Sequence, residues 1–243
     1  MKAGRLVIPL FSLYSMAALA ARVSSKPQAI HPKKVVMIGD SLVYGYGDTE
    51  GGGWVDRLRR RWMDPEQPGP IIYNLGVRGD GVQRVAARLE REFELRGELR
   101  RQVPDFLVLS VGINDSARLG KPDGRTMTDE ITFARELNGL LDQAMQLCPT
   151  FFVGMVPVNE AAMPYADILH FSNADQAHYS QMTRYACEAR QIPYLDIFQK
   201  WRAQGDAWCN ERLCGDGLHP NVLGYRTLMA DVLDWQPLMQ VLS

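Results

Sequence analysis

The stretch Val35-Val36-Met37-Ile38 is an unbroken apolar run, and it leads directly into the turn sequence Gly39-Asp40-Ser41-Leu42. Consecutive apolar side chains that are mostly β-branched are typical of a strand buried on both faces of a sheet. Similar runs follow at Ile71–Leu75, Phe106–Val111, Phe151–Val156 and Tyr194–Ile197. The sequence therefore predicts five buried strands.

Longer amphipathic segments separate these runs. In Val82–Leu95, apolar side chains recur every three or four positions, which places one apolar stripe of a helix against the sheet. The other predicted helices are Val55–Trp62, the segment that follows Thr128 and ends at Cys148-Pro149, Ala174–Arg190 and Val222–Leu233. Strands that alternate with helices indicate an α/β fold with a parallel sheet, right-handed crossovers and helices on both faces.

The composition is that of one globular domain, with 46% hydrophobic and 23% charged residues among 243. The 27 basic residues nearly balance the 28 acidic ones, which leaves a net charge of −1. No overall field therefore favours nucleic acid or an anionic membrane surface. The basic run at Arg57, Arg59, Arg60 and Arg61 is interpreted as the solvated face of a helix rather than a polyanion site.

Residues 1–21 are typical of a signal peptide, and a disordered N-terminal extension is the alternative. A basic start precedes the apolar run Leu6–Ala20, which ends in the small residues expected before a cleavage site. This run is too short and too polar for a stable membrane span. A polar linker over 22–33 then leads into the domain at 34–243. We therefore expect an exported protein, periplasmic or secreted, with membrane association through the N-terminus or a cytoplasmic location as alternatives.

Four cysteines are too few for a disulfide scaffold. In an exported protein, Cys209 and Cys214 could close a small disulfide loop. In a cytoplasmic protein, these two and Cys148 and Cys187 are expected to be free thiols. His219 lies just beyond, but no second pair of ligands has suitable spacing, so we expect no metal site. The glycines after residue 44 match no phosphate-binding motif, and we expect no cofactor.

Four polar motifs lie at or beyond the ends of predicted strands. Gly39–Leu42 follows the first strand, Asn74–Gly79 ends the second, Gly112–Asp115 follows the third, and Asp216–Pro220 comes after the fifth. Ligands of open α/β sheets bind at the carboxyl ends of the strands, so we expect these motifs to converge.

In this order, the four motifs resemble the GDSL or SGNH family of serine hydrolases, which is named after its Ser, Gly, Asn and His residues. The resemblance extends from about residue 34 to residue 235. It implies a three-layer α/β/α sandwich with a five-stranded parallel sheet, flavodoxin-like, in the strand order 2-1-3-4-5.

The resemblance also implies the roles of particular residues. Ser41 is expected to be the nucleophile, His219 the general base and then acid, and Asp216 the carboxylate that orients the imidazole. The backbone N–H groups of Ser41 and Gly76 and the side-chain amide of Asn114 are expected to form the oxyanion hole. The expected activity is hydrolysis of a small-molecule carboxylic ester, acyl or acetyl, through an acyl-enzyme.

Other polar residues near these motifs are interpreted as supporting groups. Asp40 is expected to position the nucleophile turn, and Asp115 to cap or support a neighbouring segment. Arg78 is expected to pair either with an anionic group or with Asp80. His31, His170 and His178 are expected in surface or packing roles.

The sequence is compatible with several substrates. The long apolar loop between Pro157 and Phe171 could hold an acyl chain, or it could simply pack on the core. A lysophospholipase, a thioesterase, a carbohydrate acetylesterase and a non-enzymatic flavodoxin-like binding protein are the alternatives to a simple esterase. The sequence does not determine the oligomeric state.

Overall fold

Seven strands are present in the computed structural model, which describes residues 32–67, 69–96 and 103–242. They are β1 (Lys34–Gly39), β2 (Ile71–Gly76), β3 (Phe106–Ser110), β4 (Arg118–Leu119), β5 (Thr150–Val153), β6 (Leu169–His170) and β7 (Tyr194–Leu195). Five form a parallel sheet in the order β2-β1-β3-β5-β7, whereas β4 and β6 pair with each other antiparallel. Counted over the five-stranded sheet alone, this is the order 2-1-3-4-5, which confirms the expected fold.

The helices are α1 (Ser41–Tyr44), α2 (Gly53–Arg61), α3 (Val82–Glu94), α4 (Glu130–Leu147), α5 (Asn173–Glu188), α6 (Ile197–Arg202), α7 (Asp206–Glu211), α8 (Val222–Leu233) and α9 (Gln236–Leu242). Helix α2 packs against α8, whereas α3, α4 and α5 pack side by side. Because right-handed crossovers distribute helices over both faces of such a sheet, these two groups form its outer layers. The apolar residues of β1 are fully buried between them.

The carboxyl ends of the first three strands meet at one edge of the sheet. Gly39, the last residue of β1, pairs with Gly76 of β2 on one side and with Ser110 of β3 on the other. A Cβ at residue 39 would lie 1.8 Å from the carbonyl oxygen of Ser110, so only glycine fits there. This close packing of the strand ends brings the segments that follow the three strands close to one another.

The five predicted helices are present within two residues or so of the predicted bounds. Side-chain caps explain where three of them begin: Asp129 accepts from the N–H of Thr132, Ser172 from that of Asp175, and Asn221 from that of Gly224.

The fifth strand is shorter than the apolar run Tyr194–Ile197 predicts. It ends at Leu195 because the Asp196 side chain accepts a hydrogen bond from the N–H of Gln199 and thereby starts α6. The short helices α1, α6, α7 and α9 were not predicted, since elements of four to seven residues carry little periodic signal.

The predicted signal peptide (1–21) and residues 22–31 of the predicted linker lie outside the described residues. Within the described ranges, no helix has both the length and the hydropathy that crossing a membrane requires.

Candidate active site

Ser41 is the first residue of α1, directly beyond the end of β1. Asp40 caps this helix, since its Oδ1 accepts from the N–H of Leu42 at 2.8 Å. Gly45, in the left-handed conformation, ends it after a single turn. The hydroxyl of Tyr225 donates to the carbonyl oxygen of Tyr46 at 3.0 Å, which anchors the segment after the turn. The serine is therefore held at the carboxyl edge of the sheet with its side chain buried.

Ser41, His219 and Asp216 form one hydrogen-bonded chain. Ser41 Oγ lies 2.9 Å from His219 Nε2, and His219 Nδ1 lies 2.7 Å from Asp216 Oδ2. Asp216 Oδ1 also accepts from the backbone N–H groups of Leu218 and His219. Burial opposes ionisation of this carboxyl, but the hydrogen bonds from His219 and Leu218 hold its pKa below the usual value.

These contacts determine the orientation of the imidazole. An ionised carboxylate only accepts hydrogen bonds, so His219 donates from Nδ1 and presents the lone pair of Nε2 to the serine hydroxyl. His219 is 2% exposed. Its ring meets the rings of Tyr46 and Tyr165 edge-on, with centroid distances of 4.6 and 5.6 Å. Tyr165 belongs to the apolar loop that the sequence places near the site, whereas Tyr46 was not identified from the sequence because it belongs to no motif.

Asn114 lies beyond β3 and contacts the turn that follows β2. Its Nδ2 donates to the backbone carbonyl of Asp80 at 2.9 Å, which uses one of the two N–H bonds of the amide. The Val77–Asp80 turn is in turn attached to β1, since the N–H of Val77 donates to the carbonyl of Gly39 at 3.0 Å. Asn114 and this turn therefore lie together at the strand end that carries Ser41.

The expectation for Gly76 needs correction. Its N–H donates to Asn74 Oδ1 at 3.0 Å and is not free for an oxyanion. Glycine is required at position 76 for another reason, because a Cβ there would lie 2.0 Å from the backbone nitrogen of Tyr44. Gly79, three residues later, has a φ of +80° and no atom within 4 Å of a Cβ built on it. Within the described part of the chain, its N–H has no hydrogen-bond partner.

The side chain of Arg88 fixes the position of the Val77–Asp80 turn. Arg88 of α3 donates from Nε to Asp80 Oδ2 at 2.8 Å, and from Nη2 to the carbonyl oxygens of Gly39 and Leu75 at 2.9 Å each. Asp80 is thus paired with Arg88, and Arg78 is not its partner. Arg78 instead stacks on the ring of Tyr46, with 3.6 Å between the guanidinium carbon and the ring centroid.

The hydrogen bonds of the Asp40 and Asp115 carboxylates go to groups other than the Ser41 hydroxyl and the His219 ring. Asp115 Oδ2 accepts from the N–H of Val82 at the start of α3, and its Oδ1 accepts from the hydroxyl of Thr128. Asp40 is fully buried, and burial raises its pKa to about 7 against the hydrogen bond from Leu42. The nearby Asp115 and Asp80 raise this pKa further.

Among the described residues, no other histidine or cysteine side chain joins this chain of hydrogen bonds. His178 Nε2 lies 3.1 Å from Glu130 Oε1 at an exposed position, and His170 belongs to β6. His31 lies outside the described residues. All four cysteines are free thiols, and the Sγ of Cys209 donates to the carbonyl of Trp201.

The apolar loop after β5 divides into two parts. Val158 and Phe171 are each 2% exposed and pack on the core. Tyr165 reaches the histidine, and Ile168 stays half exposed. The buried part of the loop therefore packs on the core, and the prediction that the rest of the loop holds an acyl chain stays a prediction.

Residues 37–227 match the GDSL-like lipase/acylhydrolase family, and this match spans most of the chain. The chain therefore belongs to this family and is a carboxylic ester hydrolase. No curated protein matches its sequence.

Solved structures of the same fold include a lipase/acylhydrolase from Enterococcus faecalis. Its identity is 20% and its TM-score 0.67, and the alignment covers 87% of this chain and 97% of that one. An acetyl xylan esterase from Geobacillus stearothermophilus has 19% identity and a TM-score of 0.62, with 83% and 93% covered. The esterase EstA from Pseudoalteromonas has 17% identity and a TM-score of 0.62, with 86% and 99% covered. At these identities the likeness concerns the fold alone.

Proposed function

We propose that this chain hydrolyses carboxylic esters through an acyl-enzyme formed on Ser41, with His219 and Asp216 completing a catalytic triad. The observation that carries the proposal is the pair of contacts at 2.9 and 2.7 Å that links the hydroxyl, the imidazole and the carboxylate. A serine hydroxyl becomes a good nucleophile only when an adjacent base removes its proton, and this arrangement supplies that base.

The first half-reaction is the acylation of the serine. Ser41 Oγ attacks the ester carbonyl carbon while its proton passes to His219 Nε2. The resulting imidazolium is stabilised by Asp216, which stays ionised because its pKa is held low. The tetrahedral intermediate then collapses, the bond between the carbonyl carbon and the alcohol oxygen breaks, and His219 returns the proton to the departing alcohol.

The second half-reaction is hydrolysis of the acyl-enzyme. His219 takes a proton from a water molecule, which attacks the acyl carbon, and the proton passes back to Ser41 Oγ as the carboxylic acid leaves. His219 therefore acts first as a base and then as an acid in each half-reaction, with the serine as nucleophile in the first and as leaving group in the second.

In both steps the oxyanion needs hydrogen-bond donors whose bonds are not already used. We assign this role to the N–H of Ser41, the second N–H of the Asn114 amide and, in place of Gly76, the N–H of Gly79. The Gly79 assignment is supported by its N–H, which has no partner among the described residues, and by the contact between Asn114 and the adjacent Asp80. The open space around Gly79 allows a substrate to approach its backbone.

The proposal is tested by labelling the full chain with a fluorophosphonate probe and by measuring turnover of p-nitrophenyl acetate. We expect Ser41 to be labelled and Ser41→Ala to lose both labelling and turnover. Ser180→Ala is the matched control, since Ser180 is also a buried, hydrogen-bonded serine but contacts Tyr194 instead of a histidine. A Ser41→Ala variant with unchanged turnover would refute the mechanism. A series of p-nitrophenyl esters from acetate to laurate then measures the preferred acyl length.

A further inference from the structure

Arg78 is an exposed cation at the edge of the proposed active site. It follows β2 by two residues and directly precedes Gly79. In the described part of the chain it forms no ion pair, and the nearest carboxylate in sequence, Asp80, is bound by Arg88. Its guanidinium lies over the ring of Tyr46, and that ring lies against His219.

The stacking contact holds the guanidinium in place without using its donors. A guanidinium that lies over an aromatic face leaves its N–H groups pointing outward in its own plane, where they match the two oxygens of a carboxylate or phosphate. Tyr46 is itself fixed, since its N–H donates to the carbonyl of Ser41 and its carbonyl accepts from Tyr225. The cation is therefore preorganised on a ring that itself packs against the imidazole, which lowers the entropic cost of binding an anion.

We propose that Arg78 selects ester substrates that carry an anionic group, a carboxylate or a phosphate, near the scissile bond. This inference rests on the proposed ester hydrolysis at Ser41, and it adds the charge of the substrate to it. Two carboxylates of the site have other hydrogen-bond partners: Asp216 is bound to His219, and Asp115 is bound to Val82 and Thr128.

Two pairs of matched esters test the charge preference and its source. The p-nitrophenyl half-ester of adipic acid and its terminal amide place the anion, or a neutral group of similar size, in the acyl part. 4-Acetoxybenzoate and 4-acetoxybenzamide place it in the alcohol part. For each ester, kcat/KM of the wild-type chain is divided by that of Arg78→Gln, so that intrinsic differences in ester reactivity cancel.

We expect this ratio to be about fivefold to tenfold larger for the anionic member than for the neutral member in one of the two pairs. The pair that shows the effect identifies the part of the substrate that carries the anion. The preference should weaken between about 0.02 M and about 0.5 M NaCl, because an exposed guanidinium is screened. Arg61→Gln, which removes an exposed arginine from the end of α2, is the control and should leave both ratios unchanged.

Equal effects of Arg78→Gln on the anionic and neutral members of both pairs would overturn the proposal, since Arg78 would then only support Tyr46. Failure of the proposed function looks different, because no ester is then turned over and Ser41 is not labelled. In that case, titration calorimetry tests anion binding by Arg78 without turnover. The Ser41→Ala variant should bind the adipate half-ester more tightly than its amide. The double variant Ser41→Ala with Arg78→Gln should bind the two compounds equally. Equal affinities in the first variant would refute the anion site.

Discussion

Arg88 and Asp80 form an ion pair over 2.8 Å that ties helix α3 to the turn between Val77 and Asp80. The same guanidinium donates to the carbonyls at the ends of β1 and β2. A lysine at this position could not serve three acceptors in one plane. We therefore regard Arg88 as a positioning residue for the turn that carries Gly79.

We expect Arg88→Lys to lower kcat more than tenfold with little change in KM, because a shifted turn loses transition-state contacts rather than substrate contacts. The measurement is steady-state kinetics at a temperature where circular dichroism shows both proteins folded. Arg190→Lys is the matched control, since Arg190 forms a similar two-point pair with Asp142 but lies beside the beginning of β5, at the edge of the sheet opposite Ser41. If Arg88→Lys loses stability but keeps its kcat, the residue only supports the fold.

Asn114→Ala should lower kcat by about 10² to 10³ and leave KM nearly unchanged, as expected when one oxyanion donor is removed. Asn138→Ala is the control, because that amide also donates to a backbone carbonyl but lies on α4. A raised KM with unchanged kcat would make Asn114 a ground-state binding residue, and its oxyanion role would have to be withdrawn.

Substitution of Gly76 and of Gly79 should distinguish a glycine that is needed for packing from one that is needed for catalysis. Gly76→Ala is expected to destabilise the fold, since its Cβ would collide with the backbone of Tyr44. Gly79→Ala should fold, with a cost of about 1–2 kcal/mol for the positive φ, and should lose kcat because its N–H is displaced.

The control for Gly79→Ala is Gly120→Ala, at another positive-φ glycine with open space around it. Thermal unfolding and kcat are measured for all three variants. The Gly79 assignment fails if Gly79→Ala and Gly120→Ala have the same kcat.

The raised pKa of Asp40 predicts that the stability of the fold depends on pH. Folding raises its pKa from 3.8 to about 7, so the native state holds this proton more tightly than the unfolded chain does. Its contribution to the free energy of unfolding is therefore most favourable below about pH 4, declines as the pH rises to about 7, and is constant above. The decline is on the order of 4 kcal/mol for a shift of this size.

Urea unfolding of the wild type and of Asp40→Asn between pH 4 and pH 8 measures this effect. The amide can still accept from Leu42 but does not titrate, so the variant should gain stability relative to the wild type as the pH rises. Asp129→Asn, at the exposed cap of α4, should show no such gain between pH 5 and pH 8. If the free energy of unfolding changed with pH in the same way for the wild type and for Asp40→Asn, the raised pKa of Asp40 would be contradicted.

The sequence by itself predicted the strands, their alternation with helices, and Ser41, Asp216 and His219 as the residues of the proposed triad. These features are encoded locally: a buried parallel strand needs a short run of apolar side chains, and Asp-x-x-His places both groups on one loop. The four motifs also indicated the family, because their order along the chain matches it.

Only the tertiary structure decided which donors of the site are free. Gly76 and Gly79 are indistinguishable as letters in Asn74–Gly79, but the N–H of Gly76 is bound by Asn74 and that of Gly79 is not. Likewise, Arg88 takes Asp80 away from Arg78, and Tyr46 and Tyr165 enclose His219. These relationships join residues that are distant in sequence or compete for one partner, so they arise from the packing of whole elements and leave no local pattern.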